Sequence, residues 1–220
     1  MAHAVYAFDA YGTLFDVHAA VRRYSGGIGA DAQLLSDIWR QKQLEYSWVR
    51  ALMGRYEDFW TLTEQALDFA LRKVPSADPA LRDQLLEAYR GLDCYPEIPK
   101  VLTALRDKGA RLAILSNGSP AMLESAARSA GIADLFEEII SVDEIRTYKT
   151  DEAVYELITT RFRVYPEAVS FQSSNRWDVA GASAFGFRTV WVNRSEQPDE
   201  YQDLPPAAVL TSLDGLLALD

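Results

Sequence analysis

The chain has 220 residues, 49% hydrophobic and 25% charged, with a formal net charge of −10 and one cysteine, Cys94. That length can bury one α/β core plus a small second unit. No apolar run reaches the ~20 residues of a membrane span, and without clustered Lys and Arg there is no nucleic-acid footprint.

Ala4–Phe8 is a short apolar run that reads as a buried strand, so Met1 to Asp9 is not expected to be an export signal. A lone cysteine allows no internal disulfide, and the cytoplasm is the expected compartment. From Val17 to about Tyr95 helical patterns follow one another. The best covers Leu34–Met53, where Leu35, Ile38, Trp39, Tyr46, Val49 and Met53 form an apolar stripe expected to be core. Arg40, Leu44 and Trp48 make a second row at i, i+4, i+8, so this helix is expected to bury another face, against a cleft or a second subunit. Strands are then expected at Arg111–Leu115, Glu138–Val142, Val169–Ser173 and Arg188–Val192. Helices are expected at Ile98–Lys108, Ala121–Ala130, Glu152–Phe162 and Asp178–Phe185, and Gln197–Pro206 is a polar, proline-rich connection. The alternation predicts an α/β, doubly wound parallel sheet covered on both faces. Residues 1–16 and 96–220 would form this core and residues 17–95 an inserted helical cap.

In such sheets ligands bind beyond the carboxyl ends of the strands. Those ends carry Asp9, then Ser116 and Asn117, then Lys149, then Ser173, Ser174, Asn175 and Asp178. The only histidines are His3 and His18, neither at a strand end, so a Ser/His or Cys/His nucleophile pair has little material and a carboxylate nucleophile is what remains. Asp9 followed by Ala10, Tyr11, Gly12 and Thr13 would sit in a tight loop whose amides can face an anion. A plain Asx-turn fits that segment equally well. Asn175 with Asp178 is also what an N-cap and an acidic first turn look like, and Ser119–Pro120 has the form of a cap before a first-turn proline.

The run Asp9 to Asp16 resembles the first motif of the haloacid dehalogenase superfamily. Ser116–Asn117–Gly118 resembles its second, Tyr148–Lys149 with Asp151 its third, and Ser173–Ser174–Asn175 with Asp178 its fourth. Four ordered matches, each after an expected strand, span Val5 to about Val192. Most of that superfamily are magnesium-dependent phosphatases, with an acid two residues after the nucleophile and a metal-binding aspartate in the fourth motif. Here Tyr11 and Ser174 stand in those places, which implies the metal-independent 2-haloacid dehalogenase branch, without cofactor. The segment from Trp39 to Tyr46, with its Arg40, is similar to the cap of that branch, whereas Thr150 stands where proline usually follows the lysine.

The resemblance implies that Asp9 displaces halide from a short (S)-2-haloacid, giving an ester that water hydrolyses. Ser116, with loop amides near Tyr11 and Asn117, would anchor the substrate carboxylate. Arg40 and Asn117 would receive the halide, and Leu44, Phe59 and Trp177 would line the apolar part. Asp178 would be the base for water, with Asn175 and Ser173 orienting it. Thr13 and Lys149 would support Asp9, and Tyr155 would hydrogen-bond inward. A homodimer is implied as well. The alternatives are a phosphatase of the same superfamily, holding magnesium through Asp9 and Asp178, and a non-catalytic binding protein of the same fold.

Overall fold

The computed structural model describes residues 5–219. Its sheet has six parallel strands in the order β3-β2-β1-β4-β5-β6. They are β1 (Val5–Phe8), β2 (Arg111–Ser116), β3 (Glu138–Ser141), β4 (Val169–Ser173), β5 (Arg188–Val192) and β6 (Ala208–Leu210). β1 and β4 are buried along their whole length, as strands covered on both faces must be. β1 pairs with β2 on one side and β4 on the other, so the winding reverses there and a crevice opens beyond the ends of β1 and β4.

The five strands expected from sequence are present within a residue at each end, although Ala4 lies outside the described residues. β6 was not expected. Three residues long, half exposed and at the sheet edge, it has too short a pattern to read.

Between β1 and β2 come α1 (Ala19–Arg23), α2 (Ser25–Ile28), α3 (Ala32–Leu52), α4 (Phe59–Lys73), α5 (Arg82–Arg90) and α6 (Ile98–Asp107). The remaining helices are α7 (Pro120–Ser129), α8 (Glu152–Phe162) and α9 (Arg176–Phe185), which alternate with the later strands. Asp58 caps α4 by accepting from Trp60 N and Thr61 N, and Arg72 and Lys73 sit in its last turn.

α3 corrects the expected stripe. Leu35 and Trp39 are buried and Ile38 and Tyr46 partly so, but Val49 and Met53 are exposed. The buried face is instead rotated toward Ser36, Gln43 and Ser47. Burial of these polar groups is possible because Gln43 Nε2 donates to Thr63 Oγ1 at 3.0 Å and Ser47 Oγ to Leu44 O at 2.8 Å.

Candidate active site

Asp9 follows β1 in a loop that folds back on itself: the amides of Leu14 and Phe15 both donate to Ala10 O. Gly12 makes this turn at φ +94°, a conformation most side chains resist. The Asp9 carboxylate accepts from three side chains. Thr13 Oγ1 and Asn175 Nδ2 donate to Oδ2 at 3.0 and 2.8 Å, and Lys149 Nζ donates to Oδ1 at 3.0 Å. Lys149 Nζ also donates to Asp178 Oδ2 at 2.8 Å, so one fully buried ammonium bridges both carboxylates. Tyr155 Oη donates to the other oxygen of Asp178 at 3.0 Å.

Burial alone would lower the Lys149 pKa, but Asp178 and Asp9 outweigh it and raise it above the ordinary lysine value. Burial pushes Asp178 up to about 6, with the Asp9 charge adding to the rise and Lys149 opposing it. Tyr155 is raised by burial and by Asp178, so it stays a phenol and a donor.

Neighbouring loops hold these groups. Ser174 N donates to Thr13 Oγ1 at 2.8 Å, tying the loop after β4 to the loop after β1. Asn175 N donates to Ser173 Oγ at 3.1 Å, and a Ser173 hydrogen bond favours the charged form of Asp178. Asn175 does occupy the N-cap position of α9, yet its side chain makes no cap bond there and turns to Asp9. Ser119, likewise placed before Pro120, makes no side-chain cap bond. Ser116 Oγ accepts from Gly118 N at 3.1 Å, and Asn117 Oδ1 accepts from Lys149 N at 3.0 Å. With its oxygen fixed, the Asn117 amide keeps its two N–H donors for another partner.

The inserted helices close the other side. Phe59 is buried, with its ring 6.5 Å from that of Tyr11 and 6.0 Å from that of Tyr148. Arg40 is partly buried; one guanidinium nitrogen donates to Tyr11 O at 3.3 Å, and among the described residues it has no carboxylate partner. A cleft of about 440 Å³ runs past Gly12, His18, Arg40, Asn175 and Trp177. Leu44 lies farther out, in a groove with His18, Trp48 and Trp177. Trp48 meets Trp177 edge to face at 5.3 Å. Every site residue expected from sequence therefore gathers at this crevice, with Leu44 and Trp177 at its mouth.

Residues 3–186 match a protein family described as haloacid dehalogenase-like hydrolase. This chain belongs to that family. A curated relative, (S)-2-haloacid dehalogenase 1 of Pseudomonas sp. (strain CBS-3), is 49% identical over 210 residues, covering 95% of this chain and 92% of the relative. A dehalogenase crystal structure with an intermediate complex is 43% identical, with a TM-score of 0.96 over 99% of this chain and 97% of that one. The L-2-haloacid dehalogenase of Xanthobacter autotrophicus with chloropropionic acid covalently bound is 35% identical, with a TM-score of 0.90 over 100% of this chain and 98% of that one.

Some residues around the centre of this dehalogenase-like hydrolase carry no sequence motif. Tyr89 of α5 stacks on the Tyr11 ring, with centroids 5.7 Å apart and planes 8° from parallel. Gly181 of α9 leaves room for Tyr155: a Cβ there would meet Tyr155 Oη at 2.5 Å and Thr150 Cβ at 2.8 Å. A glycine inside a helical pattern was a legible sign of close approach, whereas one tyrosine in a polar helix was none.

Proposed function

We propose that the chain hydrolyses short (S)-2-haloalkanoic acids to (R)-2-hydroxy acids and halide, with Asp9 as nucleophile. An Asp9 oxygen attacks carbon 2 from the side opposite the halogen; the carbon–halogen bond breaks, halide leaves with its electron pair, and an aspartyl ester forms with inversion. Water then adds to the Asp9 carboxyl carbon and Asp178 takes its proton. Collapse frees the hydroxy acid, which carries an Asp9 oxygen, so the configuration at carbon 2 does not change again. Tyr155, Ser173 and Asn175 orient Asp178 and the water, while Thr13 and Lys149 support Asp9 and the developing oxyanion.

Positioning governs the first step, since in-line alignment can be worth ~7–11 kcal/mol. Ser116 and the loop amides anchor the substrate carboxylate. Arg40 and the free N–H donors of Asn117 take the halide, with Tyr11, Leu44, Phe59 and Trp177 as apolar lining. The observation that carries this reading is the pairing of Asp9, an acceptor of three donors, with an Arg40 guanidinium that has no carboxylate of its own across the crevice. A cation without a carboxylate suits a leaving anion.

Magnesium does not fit the donors present. The Lys149 ammonium stands between Asp9 and Asp178, Ser174 replaces a carboxylate, and among the described residues no three His, Cys, Asp or Glu side chains gather as metal ligands. The phosphatase alternative also lacks its acid at Tyr11. Residues 17–95 act in this reading as a cap over a core of 1–16 and 96–220. No helix among the described residues is long and apolar enough to cross a membrane. The single cysteine, which allows no internal disulfide, supports cytoplasmic residence in this reading. A homodimer is supported by Leu34, Val49, Leu52 and Met53, exposed apolar residues of α3 and its end.

The test is halide release from (S)-2-chloropropionate in excess chelator. Release that Asp9→Asn abolishes, with isotope from ¹⁸O-water entering Asp9 in a single turnover, is the expected result. Magnesium-dependent hydrolysis of an aryl phosphate without halide release would instead establish the phosphatase, and ligand binding unchanged by Asp9→Asn without turnover would establish a binding protein.

A further inference from the structure

Behind Arg40 the cap holds a buried polar chain that the mechanism above does not use. Thr63 Oγ1 donates to Phe59 O at 2.8 Å and accepts from Gln43 Nε2 at 3.0 Å; Gln43 Oε1 accepts from Tyr89 Oη at 3.4 Å. Thr63, Gln43 and Tyr89 are all buried. The direction of the chain is fixed from its far end. The single Thr63 proton goes to the Phe59 carbonyl, so Thr63 can only accept from Gln43, which sets the amide orientation. The Gln43 oxygen then faces Tyr89 and requires the phenol proton. The lone pairs of Tyr89 are left facing away from Gln43.

Arg40 is near enough for its charge to pull down a Tyr89 pKa that burial otherwise raises. The Tyr89 ring is clamped as well, stacked on Tyr11 and 5.0 Å from Trp39, whose Nε1 donates to Thr63 O at 2.9 Å. Tyr11 in turn offers its carbonyl to Arg40. The carbonyl that holds one guanidinium nitrogen therefore belongs to a residue clamped in the same aromatic stack as Tyr89.

We propose that Tyr89 is a positioning residue for Arg40, its hydroxyl oriented through Gln43 and Thr63 so that the remaining guanidinium donors meet the departing halide. This rests on the dehalogenase reading. It predicts an effect confined to the halide step and graded by leaving group, because a small, poorly departing halide leans harder on its donors than a large polarisable one. Water attack on the ester does not involve Arg40 and should be untouched.

The experiment is rapid-quench measurement of halide release and ester hydrolysis, with (S)-2-chloro- and (S)-2-bromopropionate, in wild type, Tyr89→Phe and Gln43→Leu. Tyr89→Phe should slow chloride release about tenfold, the scale of one hydrogen bond to a charged group, and bromide release less, with ester hydrolysis unchanged. Gln43→Leu keeps the hydroxyl but frees its proton, and should give the same selective pattern at smaller amplitude. Equal slowing of both halides, equal slowing of both chemical steps, or an unchanged halide step in either variant overturns the proposal. Absence of halide release from wild type would overturn the dehalogenase reading itself, an outcome visible before any variant is compared.

Discussion

Lys149 does at the residue scale what a metal does in many acid-rich sites: it lets two buried carboxylates stand close together. Its ammonium reaches both Asp9 and Asp178, yet burial still pushes Asp178 up to about 6. A base with that pKa accepts a proton only when ionised, so hydrolysis of the ester should fail as pH falls through its titration. Asp9 adds to the rise while it is charged, and esterification removes that charge. The hydrolysis rate of pre-formed intermediate should therefore fall with a midpoint below about 6, as checked by pH-jump single turnovers. A midpoint above 6, or Asp178→Asn with undiminished hydrolysis, would deny Asp178 the role. Much of this centre was legible because Asp9, Ser173, Asn175 and Asp178 end a strand or open the next helix, where motif and position coincide, while Lys149, in the loop before α8, was legible by its motif alone. Tyr89 was not, because its significance lies in a stack on Tyr11, in the loop after β1 and distant in sequence, and α5 gives it no distinguishing spacing.

At the scale of elements, the strands and later helices were readable because their apolar runs are short, buried and separated by turn residues. α3 misled because hydrophobicity and burial diverge there. A buried Gln43 and Ser47 are affordable only with the partners α4 and the α3 backbone supply, and sequence spacing shows no partners. α9 shows the converse, a helix whose one small residue matters. Gly181 lies against Tyr155 and Thr150, and α9 is pinned by β4 and β5, so a methyl group cannot be absorbed by sliding the helix. Gly181→Ala should displace Tyr155 from Asp178 and destabilise the fold by ~1–3 kcal/mol, the usual cost of overpacking. Its signature should be accumulation of the ester with halide release less affected, read by intact-protein mass spectrometry during turnover. Loss of stability without ester accumulation would mean that Tyr155 keeps its bond.

Across the whole molecule, the segment inserted between β1 and β2 meets the loops beyond the sheet along one seam. Tyr56 Oη donates to Asp143 Oδ1 at 2.6 Å and Tyr148 Oη donates to Glu57 O on one side, while Trp48 packs on Trp177 near the mouth. The net charge of −10 repels an anionic substrate, so its attraction depends on cations kept inside this seam, chiefly Arg40. The outward side of α3 bears on the proposed homodimer. Leu52 is 90% exposed, and Leu34 lies on the same helical face at 50%, with Val49 at 47% beside them. Exposed apolar residues near both ends of a 21-residue helix suit self-complementary packing about a twofold axis, in which each end of the helix meets the other end of its copy. Leu52→Glu would bury a carboxylate twice in that interface, once per copy, a cost that a small interface cannot recover. Sedimentation velocity at micromolar concentration should therefore give twice the chain mass for wild type and the chain mass for the variant. Halide release per chain should persist in the variant, since Leu52 touches none of the groups that hold Asp9. A wild type that sediments as a monomer, or a variant that stays dimeric, would leave this face of α3 to solvent and move any dimer contact elsewhere.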